Sequence, residues 1–134
     1  MKLSSGSPAA PRVQRQEMLR RARAAAQPLR AAFPTVQALR LDLKFEGPAA
    51  NVPATQAHVL YPPAAAFFEF ACPYADCDGR FDLTQAVEST LRRSGQQAKG
   101  TLECSGLRVR QRGVREPCGL RLEYRLETTY QGAR

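Results

Sequence analysis

The chain has 134 residues and a mass of 14.8 kDa, the size of one ordinary domain. Hydrophobic residues make up 43% of it, which is enough for a core without help from a metal ion or a disulfide. The most apolar run, residues 59–68, contains two adjacent prolines and is too short to span a bilayer, which excludes a transmembrane protein. The composition also excludes a collagen-like or low-complexity chain.

The positive charge is concentrated at the N-terminal end. The formal net charge is +8, and residues 1–31 carry seven basic side chains against one acidic, whereas residues 32–134 are nearly neutral. We therefore expect a basic N-terminal arm over residues 1–31 and a single domain over residues 32–134. Most of the basic residues are arginines, which suit phosphate and carboxylate groups. Such an arm would bind nucleic acid, an acidic lipid surface or an acidic protein, although the same charge would also simply keep the chain soluble.

The start of the chain bears on the compartment. Residues 1–12 lack the apolar segment of a secretory signal. We therefore expect a cytoplasmic protein, in which reduced cysteines are available to bind metal. The arginine-rich start leaves an organelle transit peptide open as an alternative.

The first predicted element is a helix over residues 12–27, after a disordered start at residues 1–11. Its alanine, arginine, leucine and glutamine residues favour helices, and Pro28 ends it. Its predicted apolar side is formed by Met18, Ala22 and Ala25, with Leu19 and Ala26 beside them. We expect this weakly apolar side to rest on the domain, with a mobile arm as the alternative.

Alternation of apolar and polar residues predicts strands in the remainder of the chain. It is strict at residues 36–45 and 119–130, as in strands with one buried face. Further strands are predicted at residues 55–61, 66–72 and 99–110, the last with a change of phase that a bulge would explain.

One helix is predicted among these strands, over residues 83–94. Leu83, Val87 and Leu91 follow one another at a spacing of four and therefore share one side of it. The order of elements predicts an α+β fold, in which an antiparallel sheet of about five strands carries one packed helix and the basic N-terminal helix precedes them.

Four cysteines carry the chemistry that the sequence shows. Cys72 and Cys77 are separated by four residues, directly after a predicted strand. Cys104 and Cys118 are farther apart, but a hairpin that turns at Gly113 would bring them together. Four thiolates presented in this way suit one tetrahedral Zn²⁺ and leave it no open position, which indicates a structural ion. Two disulfides in an oxidising compartment, or unlinked thiols, are the alternatives.

Glycine follows three of the four cysteines within two residues: Gly79, Gly106 and Gly119. A metal-bound sulfur accepts hydrogen bonds from backbone N–H groups, and the turn that offers them often needs a positive φ. At these residues the chain resembles the zinc-ribbon group of small four-cysteine domains, over about residues 68–122. The first pair departs from that group by having four intervening residues where two are usual, and a helix lies between the pairs. The resemblance implies a structural zinc on the four cysteines and implies no activity.

A second candidate site is a polyanion-binding surface. Arginines gather at the tip of the predicted hairpin: Arg108, Arg110, Arg112 and Arg115. Arg20 and Arg23 of the predicted N-terminal helix would extend this surface toward nucleic acid. A solvated, charged hairpin tip is the alternative.

The other polar residues have ordinary structural interpretations. His58 is the single histidine and stands in an apolar strand, while Asp76, Asp78 and Asp82 are expected to cap turns and the following helix. The sequence contains no HExxH motif and no glycine-rich phosphate loop. It therefore favours a small zinc-stabilised binding or adaptor protein over an enzyme, with nucleic acid as one candidate partner. The alternative is a protein–protein module of a larger assembly, which would expose an apolar patch.

Overall fold

The structure is a computed structural model that describes residues 10–46, 55–109 and 113–132. Three helices and eight strands follow one another in these ranges. In chain order they are α1 (Ala10–Ala25), α2 (Leu29–Ala32), β1 (Val36–Glu46), β2 (Thr55–Leu60), β3 (Glu69–Ala71), β4 (Arg80–Asp82), α3 (Thr84–Arg92), β5 (Gln97–Glu103), β6 (Leu107–Val109), β7 (Arg115–Pro117) and β8 (Arg121–Tyr130). The disorder predicted for the start of the chain falls mainly on residues 1–9, which lie outside the described residues.

The fold is α+β, as predicted, and it is organised around one antiparallel sheet. This main sheet has four strands, against the expected five or so, in the order β2-β1-β8-β5. The strand predicted at residues 66–72 does not join it, because β3 pairs with β4 in a separate two-stranded sheet. The strand predicted at residues 99–110 divides into β5 and β6 at the predicted change of phase, and β6 pairs with β7.

One face of the main sheet is buried and the other is solvated, as the alternation predicts. On the inner side, Leu41 and Leu126 lie opposite each other on β1 and β8, and both are fully buried. On the outer side, residues of opposite charge face each other across the same two strands: Arg40 with Glu127, Asp42 with Arg125 and Lys44 with Glu123. Such cross-strand pairs stabilise a sheet modestly, so the outer face needs no covering layer.

The helix α3 covers part of the inner face. Val87 and Leu91 of α3 are buried, together with Leu83 just before it. The carboxylate of Asp82 accepts a hydrogen bond from the N–H of Thr84, the first residue of the helix, at 2.9 Å. Asp82 thus accepts an N–H group at the start of the helix as expected, although the N-cap position itself is occupied by Leu83, and the bond joins the end of β4 to the start of α3.

The helix α1 lies on the domain, but it does so on a different side from the one predicted. Met18 is 48% exposed, and Ala22 and Ala25 are also exposed, whereas Arg15 and Leu19 are buried. The apolar pattern was misleading because the side chain that fixes the helix is a charged one, Arg15, which donates hydrogen bonds to the domain backbone.

The segment after α1 is also joined to the domain. Leu29 is fully buried in the core, and its N–H donates to the carbonyl oxygen of Ala64 at 2.7 Å. The N–H of Ala66 donates in turn to the carbonyl oxygen of Gln27. The division of the chain at residue 31 stays a prediction, although Leu29 shows that the core begins before it. Among the described residues, no helix has the length and apolar character needed to cross a membrane.

Replacing Leu126 by alanine tests the central position of the β1–β8 pair. We expect the free energy of unfolding to fall by about 2–5 kcal/mol, because the change leaves a cavity at a fully buried site. Urea unfolding followed by circular dichroism measures it. The control is Val59→Ala on the solvated side of β2, where the side chain is 42% exposed and a change within about 0.5 kcal/mol is expected. Equal losses in the two variants would contradict the assigned faces.

Candidate metal centre

Two small sheets bring the four cysteines together. Cys72 directly follows β3, and its N–H donates to the carbonyl oxygen of Gly79 at 3.1 Å, which closes the loop that carries Cys77. Cys104 lies between β5 and β6, and its N–H donates to the carbonyl oxygen of Leu120 at 2.8 Å. This bond places Cys118 beside Cys104, as the hairpin hypothesis predicted. The sulfurs thus come from two hooks at the same end of the fold. The first hook is residues 72–79, and the second is residues 104–106 together with Cys118 and Gly119.

The spacing of the sulfurs suits one metal ion. The Sγ atoms of Cys77 and Cys104 are 3.6 Å apart, those of Cys72 and Cys118 are 3.8 Å apart, and all four lie within 4.8 Å of one another. A tetrahedral ion with metal–sulfur bonds of about 2.3 Å separates its sulfurs by about 3.8 Å. A disulfide would need about 2.05 Å, and all four thiols are free. The cluster is therefore positioned to hold a metal ion.

Each sulfur receives a hydrogen bond from the backbone two residues further along. The N–H of Gly79 donates to Sγ of Cys77 at 3.2 Å, and the N–H of Gly106 donates to Sγ of Cys104 at 3.4 Å. Backbone hydrogen bonds from Tyr74 and Leu120 likewise lower the pKa values of Cys72 and Cys118, although other causes outweigh them there. N–H donors of this kind stabilise the thiolate form, which is the form that binds metal.

The glycines at the hooks are required for two different reasons. Gly119 has a φ of +67°, so it follows the expectation of a left-handed turn. Gly79 and Gly106 are needed because their backbones pack against each other. A Cβ atom on Gly79 would collide with Sγ of Cys104, and one on Gly106 would collide with the Cα of Gly79. The absence of side chains at these two positions lets the two hooks approach closely enough to share a ligand sphere.

The thiols interact strongly when no metal separates them. The pKa of Cys104 is lowered to about 4, because the side chains of Cys72 and Cys77 hydrogen-bond to its sulfur. The same interactions raise the pKa of Cys72 and of Cys77, while burial raises that of Cys118. The thiols therefore do not ionise independently of one another. An ion that takes four thiolates must displace the protons that the thiols hold.

Carboxylates and an arginine support the hooks from outside. The carboxylate of Asp78 accepts a hydrogen bond from the N–H of Leu107 at 2.8 Å and so ties the first hook to β6. Asp76 accepts one from Nε of Arg108 at 2.9 Å, and the Arg108 guanidinium lies 3.7 Å from the centre of the Tyr74 ring. The turn-capping role expected for these two aspartates is not what their contacts show, because Asp78 bonds the backbone of β6, 29 residues along the chain, and Asp76 forms an ion pair.

The predicted polyanion surface is only partly within the described residues. Arg108 is engaged by Asp76 and Tyr74, with its side chain 18% exposed. Arg115 is exposed on β7, and Arg20 is exposed on α1, where it pairs with Glu17. Arg23 is also exposed on α1, and its guanidinium lies 5.2 Å from the centre of the Phe67 ring. Arg110 and Arg112 lie outside the described residues.

Arg15 is the residue at this centre that sequence reasoning missed. It is only 5% exposed, and its Nη1 donates to the carbonyl oxygens of Cys77 and Gly79, the latter at 2.9 Å. In the sequence it is one of seven basic residues in the N-terminal arm, and its charge did not distinguish it from the others. Its spacing of four from Leu19 was the available signal, because two such residues share one side of a helix.

His58 does not join the cysteines in the cluster. Its ring lies 4.6 Å from that of Phe70, measured between centres, and its Nε2 lies 3.2 Å from Oε1 of Gln56. Burial lowers the pKa of His58, which favours the neutral imidazole at this position. These contacts agree with the structural role expected for His58.

Comparison with known proteins does not assign the chain to a family. Searches of protein-family models, curated proteins and solved structures found no match. The resemblance to zinc ribbons is therefore confined to the cysteines and their hooks.

Replacing Gly79 by alanine tests the close approach of the hooks. Because the added methyl group would collide with Sγ of Cys104, we expect the dissociation constant for Zn²⁺ to rise at least tenfold, about 1.4 kcal/mol. Competition with a chromogenic chelator measures it. The control is Ser105→Ala at the exposed middle of the second hook, which adds no atom and should leave the constant within about twofold. An unchanged constant in Gly79→Ala would contradict the packing described for the two glycines.

Proposed function

We propose that the chain is a small zinc-stabilised binding module in which Cys72, Cys77, Cys104 and Cys118 hold one Zn²⁺. The observation that carries the proposal is the convergence of four free thiols within 4.8 Å, three of them buried. Soft thiolate ligands in a tetrahedral arrangement select zinc over the hard cations Mg²⁺ and Ca²⁺. The reducing conditions of the cytoplasm, which we propose as its compartment, would keep the thiols available.

The proposed role of the ion is structural. Four thiolates fill the coordination sphere of zinc and leave no position for water or substrate. The ligands come from three separate parts of the chain: the loop between β3 and β4, the junction of β5 and β6, and the end of β7. An ion bound to all of them would close long loops and hold together two sheets of only two short strands each. Sheets of this size are marginal by themselves.

The proposed binding surface is the exposed side of α1. Arg20 and Arg23 are exposed there, whereas Arg108 is occupied by contacts within the domain. An arginine-rich helix surface suits a polyanion, and nucleic acid is the partner that we propose first. The expected contact is with the phosphate backbone, because nothing in the described residues indicates how bases would be read.

A protein partner is the second candidate, and a specific observation favours it. Val13 and Met18 are 57% and 48% exposed on α1, so the same helix offers apolar as well as basic side chains to the solvent. A partner that covers both would be an acidic protein surface with an apolar centre. In this second candidate the zinc only maintains the shape of the module.

Elemental analysis of the purified, untagged protein tests the metal site. We expect one zinc per chain and four thiols that become reactive when the zinc is removed with a chelator. Replacing Cys104 by serine should abolish stoichiometric binding, because zinc is then left with three thiolates. The matched control is Ser105→Cys, which places a fifth thiol beside the site and should leave one zinc per chain. Protein that contains no metal would reject the site, whether its thiols are free or oxidised, and stoichiometric iron would reject zinc as its occupant.

Salt dependence separates the two candidate partners. If α1 binds nucleic acid, the affinity for a short duplex should fall steeply with salt, and Arg20→Gln with Arg23→Gln should reduce the slope of log K against log salt by about two. Fluorescence anisotropy measures both. The control is the pair Arg121→Gln and Arg125→Gln on the solvated side of β8. Binding that persists at several hundred millimolar salt, or an equal effect of both pairs, would contradict the assigned surface.

A further inference from the structure

The helix α1 reaches the metal centre through one buried side chain. Nη1 of Arg15 donates to the carbonyl oxygens of both Cys77 and Gly79, which belong to the first hook. The carbonyl oxygen of Gly79 also accepts the N–H of Cys72 at 3.1 Å, and the N–H of Gly79 donates to Sγ of Cys77. One guanidinium therefore contacts the short backbone segment that positions two of the four sulfurs.

This arrangement places a buried cation beside a group of potential anions. Burying a guanidinium is costly unless hydrogen bonds and negative charge compensate it. Zinc bound by four thiolates carries a formal charge of −2, which would supply such compensation next to the hook. Over residues 13–25 of α1 the buried side chains are those of Arg15 and Leu19, so a polar contact through Arg15 helps to fix how the helix is turned.

We propose that Arg15 is a positioning residue of the metal centre and that zinc binding is thereby coupled to the docking of α1. The inference rests on the proposed zinc site. Arg15 holds the carbonyl groups of the hook in the orientation in which the N–H of Gly79 meets the sulfur of Cys77. The metal, in turn, holds the hook in the shape that receives Arg15. Such coupling is reciprocal. The factor by which docking of α1 through Arg15 strengthens zinc binding equals the factor by which bound zinc strengthens that docking.

The coupling has a consequence for the surface proposed above. Arg20 and Arg23 lie on the same helix as Arg15 and are exposed while α1 is docked, with the Arg23 guanidinium against the Phe67 ring of the domain. Loss of zinc would release the helix and detach this basic surface from the rigid domain. The metal would then control the presentation of the binding surface as well as the stability of the hooks.

The test measures zinc release from the full-length, zinc-loaded protein. Arg15→Met keeps an unbranched apolar stem and removes the guanidinium, with its charge and its donors. We expect its zinc to pass to a chromogenic chelator at least about tenfold faster than in the original protein, in the range found when groups that orient metal ligands are removed. The rate of zinc release from Arg15→Lys should lie between those of the original protein and Arg15→Met, since lysine keeps the charge but lacks the forked donors of the guanidinium. The control is Arg21→Met, an exposed arginine of the same helix, which should release zinc at the original rate.

Hydrogen exchange separates coupling from a purely structural anchor, because only coupling makes zinc removal from the original protein loosen α1. In zinc-loaded Arg15→Met, amides of residues 16–25 should exchange faster, while those of β8 stay protected. In the original protein, chelation should expose residues 16–25 before it exposes β8. Charge-transfer absorption of the cobalt-substituted protein checks that four thiolates still bind in each variant.

The outcomes distinguish the two proposals. Unchanged zinc release in Arg15→Met, or equal effects of Arg15→Met and Arg21→Met, would overturn the coupling while the zinc site stands. A protein without zinc would overturn both, and elemental analysis would show it directly. If Arg15→Met does not fold, Arg15→Lys and the chelation experiment on the original protein decide the question, and protection of residues 16–25 that survives zinc removal counts against the coupling.

Discussion

The mutual approach of four thiols is the constraint on which the rest of this structure depends. Sulfurs 3.6 Å apart cannot all be ionised without a cation between them, and hydrogen bonds among the thiols leave only Cys104 with a lowered pKa. The segments that carry the thiols pair as sheets of two strands with three residues each, whereas the main sheet has strands of up to eleven residues. The two parts share one buried core, in which Phe81 and Cys77 lie with Leu41 and Leu126, and the sulfur cluster adds its own constraint where the strands are shortest.

The sequence predicted best where one face of an element is buried along a sufficient length. The strict alternation in β1 and β8 and the spacing of Val87 and Leu91 in α3 located these elements to within a few residues. It missed β4, because three residues are too few to establish a period. The strand β7 was expected only as the return of the hairpin that turns at Gly113, and its pairing with β6 agrees with that hairpin. The main sheet has four strands where about five were expected, because a local sequence pattern does not reveal which sheet a short strand joins.

The sequence predicted the four cysteines of the candidate site but only some of the residues that position them. Spacing and a hairpin sufficed to bring Cys104 to Cys118, and the glycine beside Cys118 has the positive φ that was expected. Gly79 and Gly106 donate their N–H groups to the sulfurs as predicted, but neither has the expected positive φ. Their close contact lies between two distant segments, and no local pattern encodes it. Arg15 was missed because helix periodicity finds apolar contacts, while its contact is a pair of hydrogen bonds to a backbone 62 residues away.

The position of Arg15 changes how the net charge of +8 should be interpreted. A count of arginines treats them as one basic surface, yet Arg15 and Arg108 are used inside the fold, one at the first hook and the other against Asp76 and Tyr74. Arg15 is held by backbone carbonyl groups and Arg108 by a carboxylate, so both contribute little to the field that an approaching polyanion would meet. Within the described residues, exposed arginines near the hooks lie on β7, at Arg115, and on α1, which is itself fixed by one of the internal arginines. A partner that binds the charged surface of α1 would thus depend on the metal centre without contacting it.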